Sequence, residues 1–296
     1  MQKPRAILKR KKSVQGIAKI TKTMQMIATA RFKKAFDRAV AARPYTDRLG
    51  RLVATLSSAA ADLKHPLLEP REAPKKAVIL ALASNRGLCG GYNGGIVRLT
   101  IQTLRDAKAA GKEVELIVSG RKLASALRFQ GFPPAVVHTT FEDKPTFAQV
   151  DALVADKVAA YAKGELDEVT VVYTKFLSSA SQRPIAEVVL PFPVPKAEPV
   201  DAKAGAKAPA SHDWIFDPDP ETILSELIPR SVRLKFFQAF LDAAVSEQVA
   251  RMTAMKAATD NAKDMILALG RRFNRSRQSL ITTELTEIMG GSAALE

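Results

Sequence analysis

Small and apolar residues recur at alternating intervals of three and four positions along the last part of the chain. The series is Met252, Met255, Thr259, Ala262, Ile266, Leu269, Phe273, Ser276 and Leu280. This is the a/d spacing of a coiled coil, maintained over about four heptads. A helix with such a regular stripe requires a second helix that packs along it.

The N-terminal segment is the partner that the pattern favours. Its positions Ile7, Val14, Ile17, Thr21, Met24 and Ala28 fit the same spacing, with a gap at Arg10. Residues 4 to about 58 predict one helix of about 80 Å, in which Pro44 bends or breaks the helix near Arg43. We therefore expect the two ends of the chain to pair antiparallel, with the middle looped out from one end of the pair.

The middle of the chain has short apolar runs that alternate with helical stretches. Strands are predicted at 77–83, 114–118, 135–138 and 169–173, with an edge strand at 185–190, and helices at 95–110, 121–129 and 146–162. This alternation predicts a mostly parallel sheet covered by helices. The predicted fold class is thus α/β plus a long antiparallel coiled coil: a two-stranded shaft and a small Rossmann-like α/β domain.

Proline-rich segments divide these parts. Residues 65–74 contain three prolines, and residues 191–210 offer little to bury. Asp219 is placed to cap a helix that starts at Pro220, is kinked at Pro229 and ends at Gly290-Gly291, after about Ile288. The predicted division is an N-terminal shaft helix at 1–73, an α/β domain at 74–192, a flexible linker at 193–212 and a C-terminal shaft helix at 213–296.

Charge adds a constraint on partners. The chain of 296 residues is 47% hydrophobic and carries a net charge of +15, and residues 1–43 hold thirteen Lys or Arg against one acid, Asp37. Such a basic helix implies an acidic partner: nucleic-acid phosphate, an anionic membrane surface or a carboxylate-rich protein. No run of about 18 apolar residues is present, so no membrane span is expected. The single cysteine, Cys89, excludes an internal disulfide and fits a reducing compartment such as the cytoplasm.

Candidate chemistry is sparse. The stretch 84–95 (SNRGLCGGYNGG) follows a predicted strand, where dinucleotide folds place a phosphate loop, but it lacks both the G-x-G-x-x-G and the P-loop spacing. The alternative is a tight exposed turn with Arg86 at its tip, available to a partner. Cys89 is expected to be an inert small side chain, and the three histidines, His65, His138 and His212, show no ligand spacing. We expect no catalytic set, no metal and no cofactor.

A basic cluster lies beside the C-terminal stripe, at Arg271, Arg272, Arg275 and Arg277. It is either a solvated helix face or a surface that binds carboxylates of another protein. Nucleic-acid binding through residues 1–43 is a weaker alternative, because only Phe32, Phe36 and Tyr45 could stack on bases there. A Rossmann-like enzyme using the loop at 84–95 is a third reading.

Four stretches of the sequence resemble the gamma subunit family of F-type ATP synthases. They are KITKTMQMIATARFKKA at 19–35, SNRGLCGGYN at 84–93, SEQVARMTAMKAATDNA at 246–262 and NRSRQSLITTELTEIMGGSAAL at 274–295. The second stretch usually has Asp where this chain has Asn85. Pro229, Gly270 and the alanine-rich segment 200–211 also depart from the family's pattern.

The resemblance implies a non-catalytic central shaft. The coiled coil would stand inside a hexamer of alternating alpha and beta subunits, and the α/β domain would sit beneath it with the epsilon subunit and the membrane c-ring. The protein would be peripheral to the cytoplasmic face of an energy-transducing membrane, the bacterial inner membrane, without inserting into it or binding nucleic acid.

The resemblance also implies contact residues. Arg86 and Met24 match positions that face the acidic lever segment of the beta subunit. Arg277, Gln278, Thr282 and Glu284 match C-terminal positions that engage beta-subunit loops and couple rotation to catalysis.

Overall fold

The structure, a computed structural model, describes residues 4–59, 65–71, 73–141, 144–193 and 219–293. Its helices are α1 (Pro4–Ala59), α2 (Tyr92–Ala109), α3 (Arg121–Phe129), α4 (Phe147–Ala162) and α5 (Pro220–Ala293), and its strands are β1 (Lys76–Leu82), β2 (Glu113–Ser119), β3 (Val136–His138), β4 (Glu168–Phe176) and β5 (Gln182–Leu190). The chain divides into two compact units. We call them the coiled-coil unit, Met1–Ala30 with Arg251–Glu296, and the α/β unit, Arg31–Ala250.

The α/β unit contains one five-stranded sheet in the order β3-β2-β1-β4-β5. The first four strands run parallel, and β5 pairs antiparallel with β4 at the edge. The predicted α/β class and the edge strand are therefore confirmed. Each predicted strand begins and ends within about three residues of the observed one, and α3 has the predicted bounds.

Two apolar layers cover the two faces of the sheet. Successive residues of a strand point to opposite faces. Accordingly, Val78 and Leu80 of β1 pack with residues of α4 and α5, while Ile79 and Ala81 pack with residues of α2 and α3. Both faces of β1 are buried because helices cover each side, which is why its sequence is a continuous apolar run instead of an alternation.

The coiled-coil unit is formed by the first part of α1 and the last part of α5. Ile7, Val14, Ala262 and Leu269 form its buried cluster. The direction is fixed by two contacts: Lys11 lies beside Gly270, and the hydroxyl groups of Thr21 and Thr259 are 2.8 Å apart. Residue numbers therefore rise along α1 while they fall along α5, which confirms the predicted antiparallel pairing.

The predicted register of α1 was wrong at two positions. Ile17 and Met24 are 53% and 37% exposed, and Ala18 packs against the buried cluster instead. The observed inward series is Ile7, Lys11, Val14, Ala18, Thr21, Gln25 and Ala28. It has regular four- and three-residue steps without the gap at Arg10. The prediction missed this series because it took the more apolar residue of each neighbouring pair as the seam position. A small alanine and the aliphatic stem of a lysine can also pack in a helix seam. Leu280, the last position of the predicted C-terminal stripe, is likewise exposed.

The ends and interruptions of the long helices differ in part from expectation. Asp219 caps α5 as predicted, since its Oδ2 accepts the N–H of Thr222 at 3.0 Å. The helix α1 continues through Pro44 to Ala59, so a break there was wrong; buried residues on both sides of the proline, Ala39 and Leu49, hold the helix together.

The C-terminal end of α5 was also predicted too early. The helix passes Gly290 and ends at Ala293, because glycine permits a helix stop without imposing one. The predicted kink at Pro229 and the predicted division into domains stay predictions. The linker at 193–212 lies, apart from residue 193, outside the described residues.

Candidate partner-binding site

The loop between β1 and α2 is closed by its own side chains. The Ser84 N–H donates to Asn93 Oδ1 at 3.1 Å, and Asn93 Nδ2 donates to Cys89 Sγ at 3.3 Å. Cys89 is buried within this network, as expected for an inert cysteine. The non-glycine Leu88 has a φ of 64°, so the turn is held in an uncommon conformation by these contacts. The conformation of the loop is therefore fixed by contacts within the fold.

Asn85 connects the loop to two neighbouring segments. Its Nδ2 donates to the carbonyls of Thr139 and Phe141, both at 3.0 Å, and its Oδ1 accepts the N–H of Arg121 at 3.0 Å. The Lys122 N–H donates to the Ser84 carbonyl at 3.3 Å. Two amides at the start of α3 are therefore used within the protein.

This geometry argues against the phosphate-binding reading of the loop. A doubly wound fold binds phosphate at the carboxyl ends of its strands with free amides at a helix start. Here the Tyr92 N–H at the start of α2 donates to the Cys89 carbonyl at 3.2 Å, and Gly120 of the neighbouring β2–α3 turn, with a φ of 122°, packs so closely on the Ala83 carbonyl that a Cβ would clash with it. The third reading of the sequence, a Rossmann-like enzyme, gains no support from this loop.

Arg86 lies at the exposed tip of the loop. The loop is in turn fastened to α5, because the buried Tyr92 hydroxyl donates to the Ala243 carbonyl at 3.1 Å. A side chain on such a braced loop can contact a partner with little loss of conformational entropy. Arg86 belongs to the α/β unit, whereas the other five predicted contact residues belong to the coiled-coil unit.

Arg277, Gln278, Thr282 and Glu284 are all exposed on the last turns of α5. The Thr282 hydroxyl donates to the Gln278 carbonyl at 3.0 Å and is thus partly occupied by its own helix. The apolar Leu285 and Met289 continue the row that starts at Gln278 and Thr282, at spacings of three and four. Sequence reasoning missed these exposed apolar residues, together with Ile281 and Ile288, although their helical spacing was readable.

Met24 lies on an exposed row of α1 in the same unit. It is 37% exposed, and Ile20 and Ile27 are exposed at spacings of four and three from it, with Ile17 exposed seven positions before it. The register correction is what places Met24 outside the seam. The predicted contact residue is therefore available at the surface of the coiled-coil unit.

The charge of the coiled-coil unit is strongly one-sided. Residues 4–30 contain seven Lys or Arg and no acid, and residues 251–293 contain seven Lys or Arg against four acids. Lys263 Nζ pairs with Asp260 Oδ1 at 3.0 Å, and this bond lowers the pKa of Asp260. The arginines at 271, 272 and 275 are exposed. A surplus of this size creates a positive potential that attracts acidic partners.

Other kinds of site find no support in the described part of the chain. Within it, no three His, Cys, Asp or Glu side chains are grouped to hold a metal ion. None of its helices has a stretch long and apolar enough to cross a bilayer. His212, one of the three histidines considered above, lies outside the described residues.

The fold and the exposed surfaces define a class of protein: a basic, antiparallel coiled coil whose two helices are the ends of a chain that also forms an α/β sheet. Comparison with known proteins narrows the class. The family model for ATP synthase matches residues 3–295. The ATP synthase gamma chain of Rhodopirellula baltica is 44% identical over 296 residues, and that of Leptospira biflexa is 37% identical over 295 residues, each with 100% of both chains covered. This chain belongs to the ATP synthase gamma chain family.

Solved structures support the fold. The central stalk and c-ring structure of the Tetrahymena thermophila mitochondrial ATP synthase contains a chain with a TM-score of 0.56 and 23% identity, covering 81% of this chain and 99% of that chain. A chain from the rotor of the Euglena gracilis mitochondrial enzyme gives a TM-score of 0.63 at 17% identity, covering 94% and 98%. At these identities the likeness concerns the fold alone.

Proposed function

We propose that this chain is the central rotor shaft of an F-type, proton-translocating ATP synthase. It would couple rotation of the membrane c-ring to conformational change in the catalytic beta subunits and would form or break no bonds itself. The observation that carries the proposal is the full-length identity of 44% to a gamma chain. The antiparallel coiled coil with its surplus of cations supports it, because a shaft needs stiffness and a surface for acidic partners.

The proposed partners follow from this role. One copy of the chain would stand inside a hexamer of three alpha and three beta subunits, with the epsilon subunit and the c-ring at the α/β unit. The matched structures are those of a central stalk with its c-ring and of a rotor. The chain would be peripheral to the cytoplasmic face of the membrane and would bind no nucleic acid.

The mechanism is a population shift imposed by asymmetry. A single shaft cannot make the same contacts with three chemically identical beta subunits, so each catalytic site experiences a different set of contacts. Turning the shaft exchanges those sets, and each beta subunit follows the contacts that favour one of its states. The contacts must remain weak enough to slide, which suits exposed charge pairs of roughly 0 to 1 kcal/mol each.

We assign the contacts residue by residue. Met24 and Arg86 would face the acidic lever segment of the beta subunit, and Arg277, Gln278, Thr282 and Glu284 would engage beta-subunit loops. Their support is exposure: five of the six side chains lie on helices of the coiled-coil unit, and Arg86 lies on the braced loop. The exposed apolar Leu285 and Met289 would provide a smooth surface at the same end of α5.

Co-expression with alpha and beta subunits tests the proposal. We expect a purified complex with one copy of this chain for each three alpha and three beta subunits, measured by native mass spectrometry. Failure to associate with them would contradict it. If the chain instead bound nucleic acid with an affinity that falls steeply with salt, and did not form this complex, the nucleic-acid-binding interpretation of residues 1–43 would be favoured.

A further inference from the structure

The α/β unit contains an ion pair, buried at its carboxylate and partly exposed at its guanidinium, that the proposed contacts do not use. Asp242 of α5 has a side chain only 4% exposed, and its Oδ1 lies 3.6 Å from Arg43 Nη2 of α1. Gln238 Nε2 donates to the same oxygen at 3.0 Å. Arg43 Nη2 also donates to the Phe176 carbonyl of β4 at 3.0 Å. One guanidinium group thus connects both long helices and the sheet.

The carboxylate is held there at a cost in stability. Burial raises the pKa of Asp242, although Arg43, Gln238 and Lys175 act in the opposite direction. An apolar cluster that includes Phe176, Leu241 and Val245 joins the same elements, α5 and β4. With its arginine 40% exposed, the pair contributes little net stability, and even a fully buried ion pair can often be replaced by apolar residues without loss of stability. Stability alone therefore does not account for this pair.

Further directional contacts hold the same stretch of α5. Lys235 Nζ pairs with Glu187 Oε1 of β5 at 2.8 Å, and the Ser246 hydroxyl donates to the Thr174 carbonyl of β4 at 3.0 Å. The bond from Tyr92 to Ala243 lies between them. Apolar packing lets a helix turn about its axis by small amounts, whereas hydrogen bonds weaken steeply when their angles change. These contacts fix the rotational setting of α5 on the sheet.

We propose that Arg43 and Asp242 form an angular anchor that holds α1 and α5 in one rotational setting against β4. The inference rests on the proposed rotor function. A force applied to the α/β unit is then delivered to both helices without slip, and both helices continue into the coiled-coil unit. The two residues act as positioning residues through α1 and α5.

The test replaces both charges in the complete synthase. In membrane vesicles that contain Arg43→Met/Asp242→Leu, we expect ATP hydrolysis to continue and proton pumping per ATP hydrolysed to fall about fivefold, the lower end of usual coupling between sites. The thermal midpoint of the variant should equal or exceed that of the wild type. The matched control is Glu115→Leu/Lys157→Met, which removes the 2.7 Å ion pair between β2 and α4 and should leave pumping unchanged.

Conservative variants keep the test decisive if the double variant does not assemble. Asp242→Asn removes the charge at constant size, and Arg43→Lys keeps the charge but loses the planar fork. Both variants should lower the number of protons pumped per ATP hydrolysed. The thermal midpoint of Asp242→Asn should equal or exceed that of the wild type.

Three results would overturn the anchor. Wild-type pumping per ATP in variants that assemble normally would exclude it. A fall in pumping that only parallels a fall in thermal midpoint would assign the pair a structural role instead. If vesicles with the wild-type chain hydrolyse ATP without pumping, the rotor function itself is wrong and the anchor falls with it.

Discussion

Met24 lies exposed on α1, within a unit that carries a surplus of cations. A contact residue on a rotating shaft must be exposed and must bind its partner weakly. The methionine satisfies both conditions, because it offers an adaptable apolar surface without charge.

Met24→Lys should reduce coupling. The new cation would favour one angular position opposite an acidic segment by up to about fivefold, since an exposed charge pair contributes roughly 0 to 1 kcal/mol. The measurement is ATP synthesised per proton translocated in vesicles, and we expect a lower value than in the wild type. Met26→Lys is the matched control: Met26 is also exposed, but residues two apart do not share a helix face. Equal yields for Met24→Lys and the wild type would refute the assigned contact.

Asp242 gives a prediction about pH. Its folded-state pKa is raised, chiefly by burial, so the ionised carboxylate destabilises the fold and stability declines as pH rises through that pKa. Asp242→Asn should therefore be more stable than the wild type at neutral pH, and the difference should disappear in acid, below the unfolded-state pKa. Chemical denaturation across pH measures this. A difference independent of pH would contradict the assignment.

Asn85 is a third residue with a defined prediction. Asn85→Asp removes the amide that donates to the Thr139 and Phe141 carbonyls and places a carboxylate against them. We expect the free energy of unfolding to fall by about 1 to 3 kcal/mol, the usual net contribution of the two hydrogen bonds that are lost. Asn85→Ala is the comparison, and it should cost less than Asp if repulsion contributes. An unchanged denaturation midpoint for Asn85→Asp would show that the amide is not needed.

At the scale of elements, Gly270 lies inside a long helix where a glycine is unfavourable. A Cβ at this position would lie 3.6 Å from Lys11 Nζ, an ordinary contact. Gly270→Ala should therefore stabilise the coiled-coil unit by about 1 kcal/mol, measured by chemical denaturation. Gly16→Ala is the matched control, because a Cβ there meets no atom within 4 Å. If Gly16→Ala stabilised the unit and Gly270→Ala destabilised it, the Lys11 side chain would require the open space beside Gly270.

The elements show what sequence patterns can determine. The helix α3 and the alternation of strands and helices were predicted because apolar periodicity depends on local geometry. The register of α1 was not, because Ala18 and Lys11 serve a seam as well as larger apolar residues do. The end of α5 was misplaced because glycine only permits a stop.

The candidate site was predictable from the sequence only in part. The exposure of Arg277 and Glu284 agrees with their place outside the heptad stripe. The closure of the loop by Ser84, Asn93 and Cys89 was not readable, since it depends on side-chain directions. The pairing of Arg43 with Asp242 was equally hidden, because it joins residues that only the tertiary fold brings together.

At the scale of the whole molecule, two features matter: the distribution of charge and the continuity of the long helices. The net charge of +15 is concentrated in the N-terminal helix, and the two long helices extend from the α/β unit into the coiled-coil unit. A family of gamma chains shares the full length of the sequence. These features fit the proposed role of a rotor shaft.

Rotation is the most direct test of this account. A probe attached to this chain, in a surface-fixed complex with alpha and beta subunits, reports its angle during ATP hydrolysis by single-molecule microscopy. The account predicts that the chain turns in one direction while ATP is hydrolysed and stops when ATP is removed. A chain that keeps a fixed angle relative to the beta subunits during continued hydrolysis would contradict the central claim.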